Sequence, residues 1–192
     1  MTDSGRQSEL PGKRERLVSS AATLLHHQGV QATTLAEIAE GADVPAGNVY
    51  YYFKTRDDLV RAVIESQSEM IRALLTHLDG RPTPKARLKG LAESWTRDGS
   101  EMVAHGCPLG GLCYELQKQE GGLGDDAAHA LGTILEWMER QFRELEQRDA
   151  RGAAVTFLAG IQGAILLANA FDDEKLLRKE IRRLERWVDE LA

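Results

Sequence analysis

Two runs of side chains in this 192-residue sequence have types and spacings that could do chemistry. The first lies between Thr34 and Arg56 and ends in Asn48, Tyr50, Tyr51, Tyr52, Lys54 and Arg56. A carboxamide such as Asn48 can pair with the edge of a base, while phenol hydroxyls and cationic side chains suit phosphate oxygens. The second run holds the two cysteines, Cys107 and Cys113, with His105 close by. A thiol at a helix break can act as a nucleophile or redox sensor, provided nearby positive charge or N–H groups favour the thiolate. The alternative is an inert cysteine that packs like a small apolar residue.

Other chemistries find less support. His105, Cys107 and Cys113 match no standard ligand spacing, so no metal is expected, and two cysteines without a CxxC pattern do not make a disulfide framework. Gly121, Gly122 and Gly124 lack the GK[ST] ending and preceding strand of a phosphate loop and are read as a connection. His26, His27, His77 and His129 lie in polar helical contexts and are read as solvated. With no defensible Ser/His/Asp or Cys/His arrangement, no carboxylate pair and no cofactor loop, neither an enzyme nor a cofactor is expected.

Helices must position these groups. Apolar residues are 42% of the chain, charged residues 28% and aromatics only 6%, a soluble composition that suits helices over sheets. Leu17, Ala21, Leu24 and Leu25 share one face of a helix over 13–28, with Gly29 as its stop. Thr34 and Glu37 form a capping box that starts a short second helix. Gly41-Ala42-Asp43 breaks it, Val44 anchors the turn, and Pro45 is placed as the first residue of a third helix running to about Tyr52. A second capping box, Thr55 to Asp58, opens a long helix with Leu59, Val63, Ser66, Met70, Leu74 and Leu78 expected inward.

Ala21-Ala22, Leu24, Gly29, Thr33-Thr34, Ile38-Ala39, Ala42, Val44, Gly47, Val49-Tyr50, Tyr52-Phe53 and Leu59 fall at the spacings of TetR-type repressors, which this head resembles. The resemblance implies a helix-turn-helix whose second helix enters the major groove. Carried over position by position, it implies that Pro45, Ala46, Gly47, Asn48, Tyr50 and Tyr51 face the groove. It also implies that Thr34, Tyr51, Tyr52, Lys54 and Arg56 hold phosphates, and that Val49 and Phe53 are core. Two positions depart from the pattern: Ala46 stands where many relatives carry Lys, and Asp43 replaces a common turn glycine. The segment GCPLGGLCYEL, 106–116, is similar to one found in a TetR subset that includes repressors of electrophile and acrylate responses.

Charge argues the other way. The net charge is −6, and residues 1–60 carry six Lys or Arg against eight Asp or Glu. DNA binding by such a head must rest on local cations and oriented N–H groups rather than on bulk charge. The cluster Lys13, Arg14 and Arg16 is either a solvated helix end or a set of phosphate contacts.

In the body, Leu88, Leu91, Ala92 and Trp95 mark one amphipathic helix, and Leu131, Ile134, Met138, Phe142 and Leu145 a longer one. Trp95, Met102, Cys107, Leu112, Trp137, Met138, Phe157 and Ile161 are the expected lining of an effector cavity between helices. No charge occurs from Gly152 to Phe171, a span long enough to cross a bilayer. Its glycines, Thr156, Gln162 and Asn169 favour a helix buried on all sides instead, partly by a second subunit. Leu177, Ile181, Leu184 and Val188 form a narrow seam suited to helix pairing. Together with Leu158 and Ile165 they are the expected dimer interface, of four helices about a two-fold axis.

The sequence thus predicts an all-α protein: a disordered tail over 1–12, a three-helix helix-turn-helix head over 13–54, and a larger helical effector-binding and dimerisation body over 55–192. The expected function is DNA-binding transcriptional regulation, as a homodimeric repressor released from a palindromic operator by a small apolar or electrophilic effector. Coupling is expected to run through the long helix that begins at Thr55. With no apolar leader near Met1 and no membrane partner, the expected compartment is the cytoplasm. The rival reading is a helical ligand-binding or protein-interaction module whose head no longer reads DNA.

Overall fold

The computed structural model describes residues 12–97 and 99–191, which fold as helices with no strand among them. Apart from Gly12, the expected tail lies outside the described residues.

Helix α1, Lys13–Ala32, buries Leu17, Ala21 and Leu25 on the face its periodicity marks. Gly29 interrupts it with φ +84°, so the expected stop becomes a kink followed by one further turn. Only glycine fits easily there: besides the backbone angle, a Cβ would sit 2.9 Å from the Glu115 carboxylate. Helix α2, Leu35–Gly41, begins at the Thr34 box, in which the Thr34 hydroxyl accepts from the Glu37 N–H while the Glu37 carboxylate accepts from the Thr34 N–H. Asp43 takes the left-handed conformation, φ 50°, that the turn requires of the residue replacing glycine.

Pro45 does not open an α-helix. With ψ 132° it precedes a single 3-10 turn, Ala46–Asn48, which leads into the four-residue α3, Val49–Tyr52. The Thr55 box starts α4, Arg56–Asp79. Leu59, Val63 and Leu78 are buried and Leu74 packs against the core as expected, but Met70 is exposed, because α4 turns Ile71 and Leu75 inward instead.

The body continues with α5 (Pro84–Arg97), α6 (Gly99–His105), α7 (Pro108–Leu116), α8 (Leu123–Glu144), α9 (Ala150–Phe171) and α10 (Glu174–Glu190). Helix α9 packs against α8, α10 and α6, while α4 packs on both α1 and α8. Phe142, Phe157 and Trp187, one from each of α8, α9 and α10, meet with ring centroids 5.7–6.0 Å apart. This aromatic cluster anchors the body core.

The seam on α10 has a different partner from the one its pattern suggested. Leu177, Ile181 and Val188 are buried inside this chain, because they cover α9 and α5, and Leu184 packs onto Gly160 of α9. Leu158 and Ile165 are buried in the same way. What α9 leaves uncovered is the opposite stripe: Val155, Ala159, Leu166, Leu167 and Phe171, with Leu166 66% and Phe171 68% exposed.

Candidate nucleic-acid interface and inner cavity

Pro45, Ala46, Gly47, Asn48, Tyr50 and Tyr51 are all exposed along the 3-10 turn and α3, while Val49 and Phe53 anchor that element from beneath. Tyr50 is 58% and Tyr51 77% exposed, and Tyr51 meets the half-buried Tyr52 edge-on at 5.0 Å. Burial of this element therefore comes mainly from Val49 and Phe53, and two of the three tyrosines contribute little to it. Thr34 is exposed at the start of α2, and its hydroxyl also donates to Glu37 at 2.7 Å. That contact holds the Glu37 carboxyl below the usual carboxylate range.

The cations around this surface divide into two groups. Lys54 is exposed and donates to the Tyr50 carbonyl at 3.2 Å, with two further N–H groups to offer. Lys13 is exposed at the start of α1. Arg14 stacks over the Phe53 ring at 5.1 Å, and Arg16 donates to the Asp43 carbonyl at 3.2 Å, bracing the turn. Arg56, expected on a phosphate, is half-buried and donates to the carbonyls of Val30 and Thr33. Those carbonyls lie at the end of α1, where helical partners run out, so Arg56 closes that helix. Arg56→Ala is expected to lower stability by about 1.5–3 kcal/mol, as charged hydrogen bonds to two carbonyls are lost. Thermal unfolding followed by circular dichroism checks this; an unchanged melting temperature with weakened DNA binding would return Arg56 to the phosphate backbone.

Head and body meet where α1 crosses α6 and α7. The Glu115 carboxylate of α7 accepts from the Val30 N–H at 2.8 Å, just past the Gly29 kink. His26 donates through Nε2 to the Gly106 carbonyl at 2.9 Å, and His27 lies 3.3 Å from the Glu101 carboxylate. Burial, more than its neighbours His105 and His27, holds the His26 imidazole below its ordinary pKa.

Inside the body lies a cavity of about 270 Å³ between α4, α5, α6, the start of α7, α8 and α9. Trp95, Met102 and Cys107 line it as expected, joined by Ile71, Leu74, Leu109, Leu131 and Ile134. Gln67, Ser94, Arg97 and Gln162 are its polar groups. Leu112, Trp137, Met138, Phe157 and Ile161 do not line it. They are buried in the core between helices, and the Trp137 indole N–H donates to Asp79 at 2.8 Å. Periodicity marks an inward face, but it does not separate residues that fill the interior from those that border a gap. Polar Gln162 inside the uncharged run was the available clue to the real wall.

Cys107 caps α7. Its sulfur lies 3.4 Å from the Gly110 N–H and 3.5 Å from the Gln162 amide. The residue also borders a second groove of about 620 Å³ beside Tyr114, Leu166 and Asn169. Cys113 differs: burial, with a smaller contribution from Cys107, pushes its thiol up to about 11.

Comparison with known proteins identifies the family of the chain. Residues 17–63 match the family model for bacterial regulatory proteins of the tetR family, and residues 84–184 match the tetracyclin repressor-like C-terminal domain. Transcriptional regulator AcuR of Cereibacter sphaeroides is 33% identical over 168 residues, covering 80% of this chain and 75% of its own. The HTH-type transcriptional regulator TtgR of Pseudomonas putida is 26% identical over 194 residues, covering 95% and 91%. Among solved structures, the regulatory protein TetR from Rhodobacter sphaeroides superposes with a TM-score of 0.78 at 27% identity, covering 91% of this chain and 97% of that one. The reduced form of E. coli NemR superposes with a TM-score of 0.80 at 18% identity, covering 91% and 95%. With both its head and its body matched, the chain belongs to the TetR family, as a DNA-binding transcriptional regulator.

Proposed function

We propose that this regulator represses transcription as a homodimer, with the exposed surface from Pro45 to Tyr51 in the major groove of each half of a palindromic operator. The observation that carries the reading is the exposure of Asn48, Tyr50 and Tyr51 above a buried Val49 and Phe53. Asn48 is the base reader of the set, suited to adenine. Thr34, Tyr51, Tyr52, Lys54 and the N–H groups at the starts of α2 and the 3-10 turn take phosphates. The acidic total makes nonspecific affinity modest, so specificity rests on these few contacts and on using the head twice. Fragments selected by the purified protein from genomic DNA should share an inverted repeat with half-site centres about 34 Å apart. Fragments with no common sequence would favour a head that no longer reads DNA.

The effector is a small, mostly apolar molecule in the 270 Å³ cavity, oriented by Gln67, Ser94, Arg97 and Gln162. Two routes to the head support coupling. Helix α4 contributes Ile71 and Leu74 to the cavity wall and starts beside α3, the path its sequence suggests. The second route runs through Met102, Cys107 and Leu109: they border the cavity on α6 and α7, the helices that hold α1 through Gly106 and Glu115. An effector that prefers a shifted α6–α7 would move α1 and with it the spacing of the heads. The site of action is then the compartment that holds the DNA, the bacterial cytoplasm.

A second reading has an electrophile as effector, and the position of Cys107 between cavity and groove favours it. After mild treatment with an electrophile, mass spectrometry is expected to find the adduct on Cys107. Cys113, with its raised thiol, should remain unmodified at neutral pH. An unmodified Cys107 in protein that still leaves DNA on addition of an effector would end the electrophile reading.

A further inference from the structure

His26, His27 and Glu101 each bring one potential ligand atom to a space in which all three atoms lie within 4.8 Å of one another. They come from different parts of the molecule: the histidines from the last full turn of α1 before the Gly29 kink, the carboxylate from α6 of the body. The His27 nitrogen and the Glu101 oxygen are 3.3 Å apart. That separation matches the edge of a tetrahedron whose metal–ligand bonds are about 2.0–2.1 Å. As an ordinary surface ion pair the same contact would contribute little to holding head and body together.

The surrounding groups fit an ion. His26 donates its Nε2–H to the Gly106 carbonyl at 2.9 Å, which leaves Nδ1 with the lone pair a metal needs. A carbonyl on the far nitrogen is the usual outer partner of a metal-bound histidine. His105 lies one helical turn beyond Glu101 on α6, on the same face, and its ring stacks on His27 with centroids 4.0 Å apart. A third imidazole, and with it a potential fourth ligand, thus stands at the edge of the space. Two or three imidazoles with one carboxylate suit a borderline divalent ion and not a hard one such as Mg²⁺ or Ca²⁺.

We propose that this junction is a divalent transition-metal site, formed by His26, His27 and Glu101 with His105 adjacent, which clamps the DNA-reading head to the body. Because its ligands come from both units, the ion binds only where α1 lies against α6. The site lies apart from the inner cavity and does not depend on how the cavity is read.

Isothermal titration of the full-length, chelator-treated protein with Zn²⁺ tests it. One ion per chain is expected, with His27→Ala and Glu101→Gln each weakening binding at least about tenfold. Both residues are exposed, so these variants should fold as the parent does. The double variant Cys107→Ser/Cys113→Ser should bind as tightly as the parent. Co²⁺ should give visible bands without thiolate charge-transfer absorption. Absence of Zn²⁺ binding by the parent protein would overturn the proposal, as would binding that survives His27→Ala and Glu101→Gln but is lost in the double cysteine variant.

Discussion

Leu166→Glu is expected to give a folded monomer whose operator affinity is lower by roughly 10²-fold or more. Leu166 is 66% exposed at the middle of the α9 stripe that also carries Val155, Ala159, Leu167 and Phe171. A contiguous apolar stripe of this kind on a helix long and apolar enough to cross a membrane calls for a cover. A bilayer is a poor candidate. The other side of α9 is occupied by α8 and α10, and Asn169 donates to the Val103 carbonyl from within the helix. A second copy of the chain, placing its own α9 against this one, would cover the stripe isologously. A carboxylate at position 166 would be forced out of water in that dimer, but it would sit harmlessly in solvent in the monomer. Loss of the second head then removes the gain from binding two half-sites together, typically 10²–10⁴-fold. Light scattering at micromolar concentration and an operator titration check both parts. A Leu166→Glu protein that remains a dimer would move the interface elsewhere.

Trp137→Ala is expected to destabilise the body by about 3–5 kcal/mol, the cost of truncating a buried aromatic. For a chain of this size the melting temperature would fall by roughly 6–20 °C. Trp137 is 1% exposed and donates to Asp79 at 2.8 Å, so its removal opens a hole and releases the end of α4. Trp95→Ala is the contrasting case. Trp95 is half-buried on the cavity wall, and its loss should change effector affinity with a much smaller shift in melting temperature. Calorimetric scans of the two variants separate the roles: equal losses of stability would mean that Trp95 is core as well.

The contrast between these tryptophans shows where the sequence was informative. Local signals marked the head well, because caps and turns are made by neighbouring residues. Thr34 with Glu37, Thr55 with Asp58 and the left-handed Asp43 all act within three or four positions of themselves. Apolar periodicity placed the body helices but not their partners. Leu177, Ile181 and Val188 make a seam whether the helix they meet belongs to the same chain or to another, and here it is their own α9 and α5.

The contacts between head and body were the least legible. Glu115 reaches Val30 across 85 positions, and His27 faces Glu101 across 74. No local pattern encodes such pairings. Gly29 carried a partial signal, since a glycine can serve both a left-handed turn and the close approach of a carboxylate. Arg56 carried a partial signal of the same kind: its position in the motif points to phosphate, and the carbonyls its guanidinium reaches at the end of α1 lie 26 and 23 positions away.

Reading of DNA by the exposed face of α3 is tested most directly by titrating the parent protein and the Asn48→Ala/Tyr51→Ala variant against the selected inverted repeat at one fixed salt concentration. Each lost contact should cost about 1–3 kcal/mol, so the double variant should bind at least about 30-fold more weakly while remaining a folded dimer. Equal affinity of parent and variant for that repeat would contradict the placement of α3 in the groove.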